Sequence, residues 1–404
     1  MSIFNFFQRK KKSHKLFVSI GAGINQIPLI KEAQAKGFRV IGVDANSMAP
    51  GMKFCELKIQ ESVYDYKAVY NALREALFDG NIVGIMTRSF GKATQTTAYL
   101  CEQFNIPFLP FEASLHFTNK MQTKAKFAKA GIKVPDVIKI PRKAKNQTDN
   151  LPAIKKPIDG HGKQGVKFIE TQAELKKEIS LDSGKKNFIF EQYIEGNEII
   201  AIGLIHKGVY ILTELTDKEV MPEHRFIDIM HTAPSKYLHL KEKIVEIGQA
   251  AAEALEVKNA PFVMELIADE DETLWLIEAV PEFGGEFLAD IAIPKIAGVN
   301  IIGEAINSQT GLPFKPPVLK ENSKAFAIRY IVTDNGILRS FNKDALSKVK
   351  GVAYFQMLKD IGSSVKKPIS NSDRVGVVIT KGKTAEDAAE AARLAEEALG
   401  IQIR

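Results

Sequence analysis

Along the first quarter of the chain, apolar positions follow two rhythms in turn. Strand-length apolar runs occur at Leu16–Ile20, Arg39–Val43 and Ile82–Met86. Between and after them, helical spacing runs to Ala35, over Tyr66–Leu77 and over Ala93–Phe104. The punctuation agrees: Gly21-Ala22-Gly23 turns after the first strand, Gly37 precedes the second, and Asp44 ends it. This alternation predicts a doubly wound parallel sheet over residues 15–111.

The pattern then changes. A helix bearing Asn119, Lys120 and Lys124 is closed by Gly131 and Pro135, and short strands, a glycine-rich loop and hairpins follow. A long helix, Leu240–Leu255, precedes the strands Phe262–Ala268 and Thr273–Ala279. From residue 320 a small α+β unit carries strands near Ala325–Val332 and Arg374–Thr380 and ends in the helix Ala385–Leu399. The expected architecture is multidomain, α/β and α+β. A flexible basic leader occupies 1–14, a Rossmann-like domain 15–111, a central domain 112–319 and a C-terminal domain 320–404.

Composition narrows the function classes. The 404 residues, 45% apolar and 25% charged, are those of an ordinary globular protein with a sizeable core. A net charge of +7 suits a protein that handles anions. No basic stripe interleaved with aromatics is present, so no nucleic-acid partner is expected. Cys55 and Cys101 lack metal-site spacing, which points to a reducing, cytoplasmic compartment. Neither a signal peptide nor a bilayer-spanning apolar run appears. The leader, with Ile3, Phe4, Phe6 and Phe7 before the basic run Arg9–Lys12, reads as a flexible segment; contact with a membrane surface is the alternative.

Three glycine-rich stretches invite a phosphate-binding reading. In Gly21-Ala22-Gly23-Ile24-Asn25-Gln26 the third glycine of a dinucleotide fingerprint is replaced by Gln26, which favours a plain strand-to-helix turn. Gly382-Lys383-Thr384 lacks the earlier glycine of a P-loop and reads as a turn before the last helix. The third stretch differs. The strand ending Lys155-Lys156-Pro157 runs into Asp159-Gly160-His161-Gly162-Lys163-Gln164-Gly165, so flexible backbone N–H groups can fold over phosphates beside the Lys156 cation.

Carboxylates in apolar strands carry the next signal. Phe188-Ile189-Phe190-Glu191 leads to Gln192-Tyr193-Ile194 and on to Glu198, while Glu265 and Glu278 each interrupt one of two neighbouring apolar strands. A buried acid is costly unless it is paired or metal-bound. Two that face each other suit magnesium held through carboxylates and substrate phosphates; an outward-facing acid on each strand is the plain alternative.

Together these residues resemble the ATP-grasp superfamily, in the branch of biotin carboxylases, L-amino-acid ligases and purine-pathway carboxylases. The resemblance covers nearly the whole chain from about residue 15. It implies a Rossmann-like N-terminal domain, a two-lobed ATP-grasp core and a small C-terminal α+β domain. It also implies an ATP-dependent ligase that activates a carboxylate as an acylphosphate and passes it to an amine. A bicarbonate-using carboxylase and a non-catalytic ATP-binding protein are the alternatives within it. Carried over residue by residue, Lys120 and Lys156 become the phosphate lysines and Gly160, His161, Gly162 and Gly165 the closing loop. Glu191 and Ile194 fall at adenine, Glu198 at the ribose, and Glu265 and Glu278 at magnesium, for which manganese can substitute. Arg329 falls beside the transferred phosphate. Two departures stand out. Where the family often reads Glu-x-Asn-Pro-Arg, this chain reads Glu278-Ala279-Val280-Pro281-Glu282. Val280 cannot coordinate, and Glu282 reverses a charge. Glu282, with Glu286 after Gly284 and Gly285, therefore marks an acidic substrate wall, expected to attract an amino group, with Arg329 taking the anion. The expected partners are small carboxylate and amine substrates, and the branch is compatible with a homodimer. The rival reading, a nicotinamide-dependent oxidoreductase on the Gly21 turn, leaves Glu265 and Glu278 unexplained.

Overall fold

A computed structural model describes residues 14–76, 80–117, 119–138, 151–158, 165–181, 188–221, 224–285, 287–320 and 324–404. Contacts among them divide the chain into two compact units. One holds the described residues up to Phe108 together with Ile306–Leu312, and the other holds Leu109–Ala305 with Pro313–Arg404. No helix among the described residues is long and apolar enough to cross a membrane.

The first unit is built on a parallel sheet in the order Leu57–Ile59, Arg39–Val43, His14–Ile20, Gly80–Met86. Its central strand is buried from Leu16 onward, as a strand covered on both faces must be. The turn after it is satisfied from within the fold: the Ala22 N–H donates to Asp44 Oδ2 at 2.9 Å. The side chain of Gln26, 4% exposed, accepts from the Arg88 N–H at 2.8 Å and donates to Ser89 Oγ at 3.0 Å. The position of the missing fingerprint glycine is thus filled by a side chain that ties two strand-to-helix loops together. Segment 306–312 joins this unit because Gln309 acts as a surrogate strand. Its amide accepts from the Ile85 N–H at 2.9 Å and donates to the Ile85 carbonyl at 3.0 Å. Those hydrogen bonds cover backbone groups on an outer strand of the sheet.

The second unit carries an antiparallel sheet of eight described strands. Their order is Leu274–Val280, Ala260–Ala268, Asn197–His206, Val209–Met221, His224–Ala233, Ala325–Ile331, Gly376–Gly382, Val352–Met357. Segment 320–404, expected as a small α+β domain, also contributes three strands to this sheet. The free edge of His224–Ala233 is completed by Ala325–Ile331. The helix Ala385–Leu399 starts at Thr384, which caps it in a reciprocal box with Asp387, so Gly382-Lys383-Thr384 is a turn and helix cap. Ala388, Ala389 and Ala392 pack it against Met230 and Ala327. A smaller antiparallel sheet, Lys167–Ile169, Ala153–Pro157 and Phe188–Gln192, has its own core of Ile138, Ala153, Ile169, Leu175 and Phe190.

The helix Lys241–Ala254 presses Gly248 onto the buried ring of Tyr210, and a methyl group at Gly248 would overlap that ring. Gly203 meets the same ring from the strand Asn197–His206. Alanine favours a helix interior over glycine by about 1 kcal/mol. Overpacking a dense core costs about 1–3 kcal/mol, so the clash decides the sign. Gly248→Ala is expected to lower stability by about 1 kcal/mol net. Equal or higher stability in urea unfolding would refute this close approach.

Candidate nucleotide and metal site

The small sheet sorts two adjacent lysines by alternation. Lys156 pairs with Ile189 and Ile154 with Glu191, so Lys156 and Glu191 project from one face. Lys155 points the other way, with its ammonium 3.0 Å from Glu178 and 4.1 Å above the Phe188 ring. Lys155 therefore serves the core of the lobe, and Lys156 is left for the site.

Asn119 caps the helix Lys120–Lys129 by accepting from the N–H groups of Met121 and Gln122. One helical turn separates Lys120 from Lys124, which places both on one stripe. Lys124 Nζ lies 3.3 Å from Glu191 Oε1, and Lys156 Nζ lies 2.5 Å from Glu191 Oε2. One carboxylate, 2% exposed, is thus bracketed by two buried ammonium groups. Burial first, and the Lys156 charge next, draws the Lys124 pKa down to about 8 against the opposing pull of Glu191 and Glu278. Lys120 reaches across to the large sheet, 3.2 Å from Glu278 Oε1.

On the large sheet Glu265 pairs with Glu278, Glu198 with Lys218, and Lys218 with His231. Cross-strand partners share a face, so this surface gathers three glutamates. Like charges held that close repel, and the fold answers with lysine. Lys218, with no side-chain exposure, contacts Glu198 and lies 3.2 Å from Asp228 and 3.9 Å from Glu265. Burial alone would lower its pKa; Asp228, Glu198 and Glu265 outweigh that and hold it well above the usual lysine value. Asp228 is fixed in turn. Asn371 donates to its carboxylate at 2.7 Å, and Arg374 donates to its carbonyl at 2.8 Å while stacking 3.7 Å from the centre of the Tyr330 ring.

The donor set fits a divalent cation that arrives with phosphate. Glu265 and Glu278 are register partners whose side chains are 27% and 33% exposed, so water and phosphate oxygens can complete a coordination shell. Val280, buried beyond Glu278, adds no donor. Among the described residues no group of three or more His, Cys, Asp and Glu is placed to hold a metal alone. On the other lobe the charges are paired within the protein: Lys124 Nζ faces Glu191 Oε1 and Lys156 Nζ faces Glu191 Oε2.

Glu198 and Ile194 lie on and just before the strand Asn197–His206, and Ile194 is buried. Gly165 has a positive φ of 74°, and Gly284, at φ 80°, sits where a methyl group would crowd Val263. Glu282, after the strand Leu274–Val280, is half-buried, and Gly285 is exposed. Gly160, His161 and Gly162, with Glu286 and most of the leader, lie outside the described residues.

Arg329 requires a correction. It pairs with Met230, and on its own strand it shares a face with Ala327, the face that the helix Ala385–Leu399 covers. Its Nε lies 2.7 Å from Glu396 and its guanidinium 3.9 Å from Glu219. Strand alternation puts it on the opposite side of the sheet from Glu198, Lys218 and Glu265. Among the described side chains, Arg374 is an arginine that does lie beside the acidic cluster, at Asp228. Sequence reasoning missed it together with Lys218, Asp228 and the charge role of Lys124. Only the lysine spacing after Asn119 and the charged interruption Asp217-Lys218 hinted at two of them.

Residues 149–290 match the ATP-grasp domain family, and residues 329–404 match L-amino acid ligase C-terminal domain 2. In fold, the chain superposes on an L-amino acid ligase from Bacillus licheniformis with a TM-score of 0.80 at 20% identity, covering 98% of this chain and 100% of that one. A phosphoribosylglycinamide synthetase from Anaerococcus prevotii gives 0.75 at 20% identity, covering 97% and 100%. In sequence, protein y4rH of Sinorhizobium fredii is 24% identical over 310 residues, 70% of this chain and 61% of that protein. The chain thus spans less than two thirds of that relative's length. Residues 149–290 thus carry an ATP-grasp domain. Residues 329–404 carry the L-amino acid ligase C-terminal domain 2.

His231 supplies a test of the buried network. Its burial, aided by Lys218 and Arg374 and opposed by Asp228, holds the imidazole pKa down to about 3 from an ordinary 6.5. Above pH 6.5 the ring is neutral folded or unfolded, and its contribution is intact. As pH falls below 6.5 only the unfolded chain takes up the proton, so stability drops by about 1.4 kcal/mol per pH unit. His231→Gln should flatten that slope, by about 2 kcal/mol between pH 6.5 and 5 in urea unfolding. An unchanged slope would contradict the burial of this ring.

Proposed function

We propose that the protein is an ATP-dependent carboxylate–amine ligase that binds ATP with magnesium. One observation carries this reading. A lobe bearing Lys120, Lys124, Lys156 and Glu191 is joined by the Lys120–Glu278 ion pair to a sheet face on which Glu278 and Glu265 are register partners. That is a cationic seat for phosphates beside an acidic seat for a divalent ion. The L-amino acid ligase identity of the C-terminal match favours amino acids as the substrate class.

In this mechanism Lys156 and Lys120 neutralise the phosphate tail. Glu191 and the chain through Ile194 receive adenine, and Glu198 accepts from the ribose hydroxyls. Glu265 and Glu278 hold the divalent metal, which when bound spreads the negative charge of the phosphates. A substrate carboxylate attacks the γ-phosphorus, giving an acylphosphate and ADP; an amine then displaces phosphate and closes the carbon–nitrogen bond. The protein's part is positioning and charge neutralisation, so no covalent nucleophile is required.

Incubation with ATP, magnesium and paired amino acids should release ADP and phosphate in proportion to a new amide. Lys156→Ala should weaken MgATP binding by about tenfold or more, the worth of one charged phosphate contact. ADP release independent of every carboxylate in a panel of amino acids, sugar acids and bicarbonate would remove the ligase reading.

Glu282 follows the strand that holds Glu278 and gives the substrate side a negative charge. A carboxylate there attracts an amino group and repels a second acid. Glu282→Gln should raise KM for the amine substrate about tenfold while ATP affinity stays unchanged. Equal KM values for both substrates in parent and variant would sink this assignment.

A further inference from the structure

Glu191 is placed so that it can obstruct the seat it belongs to. It holds Lys156 at 2.5 Å, and Lys156 is the cation that phosphate requires. A single buried carboxylate facing a single buried ammonium is a strong pair, because little water screens it and removing either partner strands the other charge. If Lys156 were the sole partner of Glu191, turning toward phosphate would leave that carboxylate uncompensated at 2% exposure. The structure supplies a second ammonium. Lys124 Nζ faces the other carboxylate oxygen at 3.3 Å, from a helix whose Lys120 already reaches Glu278. The group therefore contains two ammonium ions and one carboxylate, with Lys124, Lys156 and Glu191 all at least nine-tenths buried. Its surplus positive charge suits a site that receives an anion.

We infer that Lys124 is a positioning residue of the nucleotide seat: it keeps Glu191 compensated so that Lys156 is free to leave the carboxylate for phosphate. This rests on the assignment of Lys156 to the phosphates. Lys124 touches no substrate in this role and acts through Glu191. Its Nζ already lies 3.3 Å from Glu191 Oε1, so the carboxylate keeps a buried cation when Lys156 departs. Lys155, the other lysine of the pair, takes no part, because Glu178 engages it on the opposite face.

The two charges give a test that a purely structural role would not pass. Lys124→Met should weaken MgATP binding about tenfold by leaving Lys156 trapped on Glu191, while adenosine, which has no phosphate, binds as to the parent. Adding Glu191→Gln removes the trap and keeps an acceptor oxygen. The double variant should therefore bind MgATP within about threefold of Glu191→Gln alone, a coupling read as a double-mutant cycle. Calorimetric titration of the full chain gives all four affinities, and thermal melts confirm that each variant folds. Should Lys124→Met not fold, the charge-neutral double variant against Glu191→Gln decides alone: equal affinities support the inference, and a further tenfold loss overturns it. Parent-like MgATP affinity in Lys124→Met overturns it as well. A parent protein that binds no ATP would instead remove the nucleotide reading, and this inference with it.

Discussion

Carboxylates cannot be crowded onto one sheet face unless cations stand among them. Here Glu198, Asp228 and Glu265 surround Lys218, and Glu278 is met by Lys120. Without Lys218 the strands Asn197–His206, Val209–Met221 and Ala260–Ala268 could keep their backbone pairing only at the cost of several uncompensated charges in low dielectric. The network reaches further. Asp228 is held by Asn371 and Arg374, which precede the strand Gly376–Gly382. Ion pairing within the sheet thereby ties the strands that carry the candidate ligands to the C-terminal segment, and it explains why that segment completes this sheet.

The same electrostatic logic sets the character of the two surfaces. The lysine-rich lobe holds more ammonium than carboxylate and suits phosphate. The sheet face holds more carboxylate than ammonium and suits a metal or an amine. Lys120 and Glu278 form the seam between them. A nucleotide carrying a divalent ion is complementary to both at once, which is why the pair of surfaces is more informative than either alone.

Much of this was legible in the chain. Continuous apolar runs interrupted by single acids drew attention to Glu191, Glu265 and Glu278, and the helix expected around Lys120 is present, capped by Asn119. The strand Arg39–Val43 and the helix Ala385–Leu399 appear with the expected bounds, because strong apolar periodicity and clear caps delimit them. Gln26, read as a departure from a dinucleotide fingerprint, proves to be a buried tie between two loops. Arg329 shows where such reading stops. Its place in an apolar run resembled that of a phosphate-side arginine, yet which side of a strand faces a site depends on what covers the other side. Here the helix Ala385–Leu399, with Glu396, covers it.

The sequence by itself determined the element types, the strand–helix order of the first unit, the cationic loop strand and the identity of the paired glutamates, since these follow from local periodicity and residue chemistry. Tertiary structure alone decided that Lys155 turns to Glu178 while Lys156 faces Glu191, and that Lys218, Asp228 and Arg374 belong to one network. It also decided that Lys124 shares Glu191 with Lys156, and that Arg329 does not join them. Those outcomes depend on register and on packing between strands far apart in the chain. A buried charge is set by the neighbours that folding brings to it, and no local pattern encodes them.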